Sequence, residues 1–479
     1  MFTRKTFLLL FCILASTSAW SRVFLRWTDH DVPPTKNLGL EDLVISWNDG
    51  APSLLESARR QGYHVYLEAT PQQAAAAADA GKNIAAGILV KVSPSEQTDV
   101  DATLQSLRSL YPKLTFLILN PGKQPQMRGT LVLNKNGVLE VSSPTAQPWL
   151  DTNLALVRIE QALHRGQVPL YSFEWELTDS LQRLQGPKVE DYLLAVAEAG
   201  AFHADLVLSL HDNLQKALAH NDADGMNLWR QMQRYLEFYS RPIGPRVEST
   251  ANIGVLAGDY KKSYELINLL ARHNIPFRIL RSTELTLDRL TEFDVLIVLA
   301  SAIQQNVKSV TDFAARGGIA ILVDSPGRYQ SQSARRLQTG GHWVSYTAGK
   351  GRVIELSEPI PDPETFAQDI RRLMDKQKVL ISLWNALTTV AVPYRQAHDG
   401  VTMLELVNYA QEPLRVQVQV KGSFHSIRYE TPERGCCETL TPVQRDGFTE
   451  FVIPELRIGG RVHLKHGHAG ERRVPANAK

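Results

Sequence analysis

The chain is short of cysteine, of charge imbalance and of long apolar runs. Its 479 residues hold three cysteines, a formal net charge of only +2 and no block of one sign. A near-zero balance argues against nucleic acid as a main partner, because phosphate binding needs a concentrated basic face. One cysteine, Cys12, lies in the N-terminal apolar run; the other two, Cys436 and Cys437, are adjacent in GCCETL (435–440). Adjacent cysteines with no matching histidine or second pair do not announce a zinc site. They read as small buried residues near a loop, or as an adjacent-pair disulfide. No apolar segment beyond the N-terminus is long enough to span a bilayer. Walker, HExxH and dinucleotide fingerprints are missing as well, so nucleotide, zinc-protease and NAD chemistry have no warrant. No cofactor and no metal are expected.

What is present starts with a secretory pattern. Arg4 and Lys5 precede the apolar run Phe7–Ala15, and Thr17-Ser18-Ala19 offers a small-residue cleavage site. Residues 1–19 are therefore expected to be a signal peptide and the mature protein to be secreted or periplasmic. At this length more than one core is needed.

From residue 20 to 242, short apolar runs alternate with helical stretches. Candidate strands are 23–27, 43–47, 64–68, 86–92, 114–120, 138–143, 170–176 and 205–210. Continuous apolar strands separated by amphipathic helices mean a parallel sheet under helices, and eight of them fit a (β/α)8 TIM-like barrel. The sixth could instead be half of a hairpin, since Asn136-Gly137 separates two apolar runs, and a seven-stranded or open variant stays possible. A linker rich in proline and glycine follows Tyr239. Residues 250–358 then alternate strands and helices as a doubly wound α/β domain. Residues 378–468 show strands with polar turns, the grammar of a small antiparallel β-sandwich, and residues 469–479 form a polar tail.

The chemistry lies in the carboxylates at the barrel's strand ends. LYSFEWELTD (170–179) carries Glu174 and Glu176, which on a strand would share one face roughly 6.6 Å apart. Cleaving a glycosidic bond takes two carboxyl groups, one to protonate the leaving oxygen and one to attack or to activate water. Glu174 and Glu176 are the first candidates, Glu68 is the expected partner, and Asp29, Asp31, Asp49 and Asp212 stand at other strand ends. Lys91 is placed to pair with Glu68 or Glu174. Trp27, Trp47, Tyr66 and Trp175 offer flat faces for sugar rings, and Asp29, Asp49 and Asn120, which closes strand five, are the expected polar contacts to substrate. His211 with Asp212 reads as a helix cap.

The order of parts resembles the trimeric, family-42-type β-galactosidases: glycosidase barrel, glutamine-amidotransferase-like domain, small β-sandwich. The likeness is carried by WNALTTVAVPYRQAHDGVTMLELVNYAQEPLRVQVQVKGSF (384–424) and by DVLIVLASAIQQNVKSVTDFAARGGIAILV (294–323). It covers the barrel in outline. It implies an O-glycosyl hydrolase with a carbohydrate substrate and a possible homo-oligomer. Its nucleophile would be a glutamate at the end of strand seven, where Glu174 and Glu176 stand, and its acid an Asn-Glu pair ending strand four. No carboxylate ends strand four here, which leaves a rival to the hydrolase reading: a catalytically inactive carbohydrate-binding or scaffold protein on a glycosidase-like barrel. The amidotransferase-like domain has no cysteine, and Ser301 has no evident histidine partner, so amide chemistry is excluded there.

Overall fold

The structure is a computed structural model. It describes residues 21–48, 50–93, 100–128, 133–135, 138–140, 149–177, 180–241, 247–257, 260–282, 285–299, 307–324, 336–339, 343–356, 363–396, 401–410 and 412–466. The expected signal peptide, Asp49, Ser301 and the Asn136-Gly137 turn lie outside them.

Seven parallel strands close into a ring: β1 (Val23–Arg26), β2 (Asp42–Ser46), β3 (His64–Ala69), β4 (Gly87–Lys91), β5 (Thr115–Pro121), β6 (Leu170–Ser172) and β7 (Asp205–Ser209). The expected count of eight is corrected to seven. Val138–Glu140 pairs antiparallel with Leu133–Lys135 outside the ring, the hairpin that Asn-Gly between apolar runs favours. Strands β5 and β6 pair directly.

Side-chain alternation along these strands builds the barrel interior. One apolar residue from each strand, Phe24, Val44, Tyr66, Leu89, Leu119, Leu170 and Val207, meets its neighbours in a buried plug. Removing each from water contributes about 1.5–3 kcal/mol. Period 2 then puts the next inward residue of several strands one level higher, toward the C-terminal mouth. Those residues are Arg26, Ser46, Glu68, Lys91, Ser172 and Ser209, a polar layer on an apolar floor. The alternate residues, such as Leu25, Ile45, Val65, Leu67, Val90 and Leu208, face outward into the core shared with the helices.

The helix layer includes α1 (Val189–Phe202) and α2 (Ala223–Tyr239). α1 is buried over nearly its whole length. Gly200 in α1 has no room for a Cβ, because the ring of Tyr239 from α2 lies against its Cα. Gly459, on a strand of the C-terminal part, meets the other end of the same tyrosine. Gly200→Ala is therefore expected to lower the unfolding free energy by about 1–3 kcal/mol through overpacking, read from the midpoint of a urea transition at unchanged slope.

The second sheet has the order Phe277–Leu280, Ile253–Leu256, Val295–Leu299, Ile319–Val323, Gly351–Leu356, Trp343–Ala348 and Arg336–Thr339. Its first five strands are parallel and the last two antiparallel, a doubly wound sheet with an antiparallel edge. Two antiparallel sheets of six and four strands follow and enclose their own apolar core. The end of the segment read as a linker is itself a strand: Val247–Ser249 joins the six-stranded sheet beside Thr389–Gln396.

That sheet packs on the barrel helices through buried polar contacts. Tyr394 Oη donates to the Ala201 carbonyl at 2.8 Å, and its ring stacks on His203 at 3.9 Å. Arg461 lies over the Phe238 ring at 4.8 Å.

Candidate functional site

The polar layer at the mouth is organised around Glu68. Arg26 donates to Glu68 Oε2 from Nε at 2.9 Å and from Nη2 at 2.5 Å, while its Nη1 donates to Ser209 Oγ at 2.8 Å. On the other side, Lys91 Nζ lies 3.9 Å from Glu68 Oε1 and 3.7 Å from Glu174 Oε1. The sequence expectation that Lys91 pairs with Glu68 or Glu174 is met by both at once. The two carboxylate oxygens stand no further apart than these two legs laid end to end. That bound falls inside the roughly 9.5 Å ceiling for a glycosidase pair. Glu68 is enclosed, with a side chain 10% exposed, and Glu174 stands open at 88%. A deep, charge-compensated carboxylate thus faces an accessible one across a lysine ammonium.

Glu174 and Glu176 are not two residues of one strand. β6 ends at Ser172, and Phe173–Leu177 runs on as irregular chain. The segment is pinned by Trp175, whose indole N–H donates to the Ser209 carbonyl at 2.7 Å while its ring packs edge-on against Phe173 and Tyr192. Glu174 consequently turns to Lys91. Glu176 turns away: its N–H donates to Gln124 Oε1 at 2.8 Å, and its Oε2 accepts from Gln126 Nε2 at 3.3 Å. The structure brings Glu68 and Glu174 together and sends Glu176 toward the loop after β5.

The aromatic platform expected at the mouth is corrected residue by residue. Trp27 is fully buried, so no face is left for a ligand. Tyr66 belongs to the plug, and its hydroxyl accepts from Arg22 Nη2 at 3.2 Å at the opposite, N-terminal end of the barrel. Trp175 is spent on packing. Trp47 is half-buried against the main core, as Trp175 is, and these two expected aromatics keep part of their surface open. Asn120 is 1% exposed and shares its strand face with Phe116 and Ile118, which point outward to the helices, so it does not line the mouth. Asp29 turns its Oδ1 to the backbone N–H of Asp31 at 2.9 Å. Its own N–H and that of Thr28 donate to Gln215 Oε1. His211 precedes the helix Asp212–Ala219 and accepts from the Asn213 N–H, the capping role expected of it; Asp212 accepts from Thr28 at 3.5 Å.

Several supporting residues escaped sequence reading. Arg26 is one, though a charged residue two places after Phe24 in a barrel strand is a signal. Glu198 is another, a lone carboxylate in the apolar stretch YLLAVAEAGAF of α1. It is fully buried and accepts from Tyr409 Oη at 2.6 Å, Asn153 Nδ2 at 2.7 Å and Tyr171 Oη at 3.1 Å. Asn153 in turn holds the loop after β5, its Nδ2 donating to the Lys123 carbonyl and its Oδ1 accepting from the Lys123 N–H, both at 2.7 Å. That loop carries Gln124 and leads into the short strand Gln126–Arg128, and both glutamines meet Glu176. Tyr171 sits three residues before Glu174. One buried carboxylate therefore ties the sandwich, the β5 loop and the root of the Glu174 segment.

Burial raises the Glu198 carboxyl from 4.5 to about 7, the hydrogen bonds from Tyr409, Asn153 and Tyr171 only partly offsetting it. A carboxyl whose folded value lies above its unfolded one adds stability that is complete below pH 4.5 and is lost as pH rises through 7. Asp205, also raised to about 7 by burial, acts in the same sense. His203, lowered to about 3 by burial and by the charges of Arg158 and Arg461, acts oppositely, losing stability as pH falls below its unfolded value. Glu198→Gln is thus expected to remove about 1–3 kcal/mol of the wild-type stability loss between pH 5 and 8. Urea unfolding at both pH values checks this, and equal pH slopes in the two proteins would count against it.

No family model matches the chain, and no characterised protein matches it by sequence. Solved structures do match. α-L-Fucosidase isoenzyme 2 from Paenibacillus thiaminolyticus superposes with a TM-score of 0.54 at 11% identity, over 94% of this chain and 100% of that one. The chain shares the fold of that enzyme. Weaker likenesses run to the exo-β-1,4-mannosidase Op5Man5 from Opitutaceae bacterium strain TAV5, with TM-score 0.45, 11% identity, and coverage of 74% and 96%. A β-galactosidase from Bacillus circulans sp. alkalophilus gives TM-score 0.41, 13% identity, and coverage of 86% and 66%. At such identities the likeness concerns the fold, and the chemistry rests on the mouth itself.

Proposed function

We propose that the protein is an exported glycoside hydrolase acting on an oligo- or polysaccharide, with Glu68 and Glu174 as its carboxylate pair. The observation that carries this reading is their convergence on Lys91 at the C-terminal mouth, the end at which barrel enzymes of this kind work. Glu68, fixed by Arg26 from the barrel wall, faces the positive charge that develops at the anomeric carbon. Glu174, on an open segment, reaches the leaving oxygen. Glu176 belongs to the supporting loop. Hydrolysis of a panel of polysaccharides by the wild type, Glu68→Gln, Glu174→Gln and Glu176→Gln tests the assignment. Loss in the first two variants with retention in the third supports it, and equal rates throughout remove the pair.

A second reading is favoured by one specific contact. Arg26 spends both Nε and Nη2 on Glu68 Oε2, which fits a carboxylate kept for structure in a barrel that binds glycans without cleaving them. Saturable glycan binding with no product from any substrate would support this reading.

Export is part of the proposal. It rests on the N-terminal pattern, and no helix among the described residues is long and apolar enough to cross a membrane. The N-terminal residue of the mature protein, read by mass spectrometry, tests it: a start beyond Ala19 supports cleavage.

A further inference from the structure

The adjacent cysteines acquire in the fold the partners that their sequence neighbourhood lacks. Cys436 and Cys437 lie on the edge strand Gly435–Leu440 and are joined as a disulfide. That strand pairs with Phe424–Thr431, which carries Arg428 and Glu430, and the next strand over, Gly459–His466, carries His463. A carboxylate oxygen of Glu430 and the two sulfurs all lie within 4.8 Å of one another. Arg428 Nη2 stands 3.3 Å from Cys436 Sγ. His463 Nε2 lies 2.9 Å from Glu430 Oε1, an outer partner of the kind that orients a ligating carboxylate. Cys436 is exposed, Cys437 half-buried and Glu430 buried, so a small ion can approach while the carboxylate stays in place.

We propose that, once the disulfide is reduced, Cys436, Cys437 and Glu430 form a binding site for a thiophilic divalent cation. The redox step is a thiol–disulfide exchange with a dithiol reductant. Two electrons and two protons pass to the cysteine pair while the reductant closes to its own disulfide. Cation binding then releases the two thiol protons to solvent. Two soft sulfurs with one oxygen select zinc-group ions over calcium or magnesium. In the disulfide form the sulfurs are bonded to each other and the site is closed, which makes binding conditional on redox state. The site lies in the C-terminal sandwich, and its failure or success is independent of the carboxylate pair at the barrel mouth.

The test uses the full chain, reduced, freed of reductant under argon, and titrated with Cd²⁺ while thiolate-to-metal charge-transfer absorption is followed. Saturation at one equivalent in the reduced protein and no band in the oxidised protein are expected. Cys437→Ser and Glu430→Gln are each expected to weaken binding roughly 10–100-fold. Glu430 also meets Arg461, so its variant is compared only if its circular dichroism matches the wild type. Cys437→Ser, at a half-buried position, carries the test by itself and keeps Cys436 as a control for a lone thiolate. An isotherm for Cys437→Ser matching wild type, or an equal band in the oxidised protein, overturns the proposal.

Discussion

Glutamine in place of Glu174 is expected to lower kcat/KM on a responsive glycan by roughly 10³-fold, within the range for loss of a positioned acid or base. The side chain is 88% exposed and meets Lys91 only loosely, at 3.7 Å, so stability should stay within about 0.5 kcal/mol of wild type. Loss of activity would then report chemistry and not unfolding. Glu68→Gln is expected to cost at least as much activity, but it also leaves Arg26 uncompensated in a wall where the side chain is only 13% exposed. Part of its effect will be structural, and the unfolding midpoint must be measured beside the rate. Glu176→Gln should change little, because its side chain turns toward Gln126 and away from Glu68 and Glu174, and its N–H donates to Gln124. An unchanged kcat/KM in Glu174→Gln would end the two-carboxylate proposal.

The second large effect is expected away from the mouth. Arg461 donates to Glu405 Oε1 at 2.5 Å and approaches Glu430 at 3.4 Å, and Glu405 is wholly buried. Burial pushes the Glu405 carboxyl up, and the guanidinium draws it back down. Arg461→Met keeps the stem volume but strands a buried carboxylate, at an expected cost of about 3–5 kcal/mol in unfolding free energy. Pairing it with Glu405→Gln should recover much of that loss, because the penalty belongs to the unpaired charge and not to the missing contact. Equal destabilisation in the single and double variants would show instead that Arg461 acts through its packing on Phe238.

The architecture was largely legible in the residues, for reasons visible in particular elements. Strands such as GILVK (87–91) and VLIVL (295–299) are continuous apolar runs, which only a sheet covered on both faces can bury. The antiparallel stretch LRVQVQVK alternates with period 2 and is buried on one face in the fold as well. The eighth strand was miscounted because Val138–Glu140 has strand composition, and composition does not say which strand it will pair with. The aromatic platform failed for a related reason. Trp27 and Trp175 do stand at strand ends, but an indole there is as readily captured by the helix layer as by the mouth.

Arg26, Glu68, Lys91 and Glu174 come from four strands or strand ends spread over about 150 residues. The alternation of Arg26, Glu68 and Lys91 with apolar neighbours, and hence their inward direction, is a local property written in the chain. That Lys91 would stand between Glu68 and Glu174, that Glu176 would turn aside, and that Glu430 and His463 would gather at two cysteines depended on ring closure, strand register and the point at which β6 ends. Those are set by packing between distant segments, so only the tertiary structure decided them.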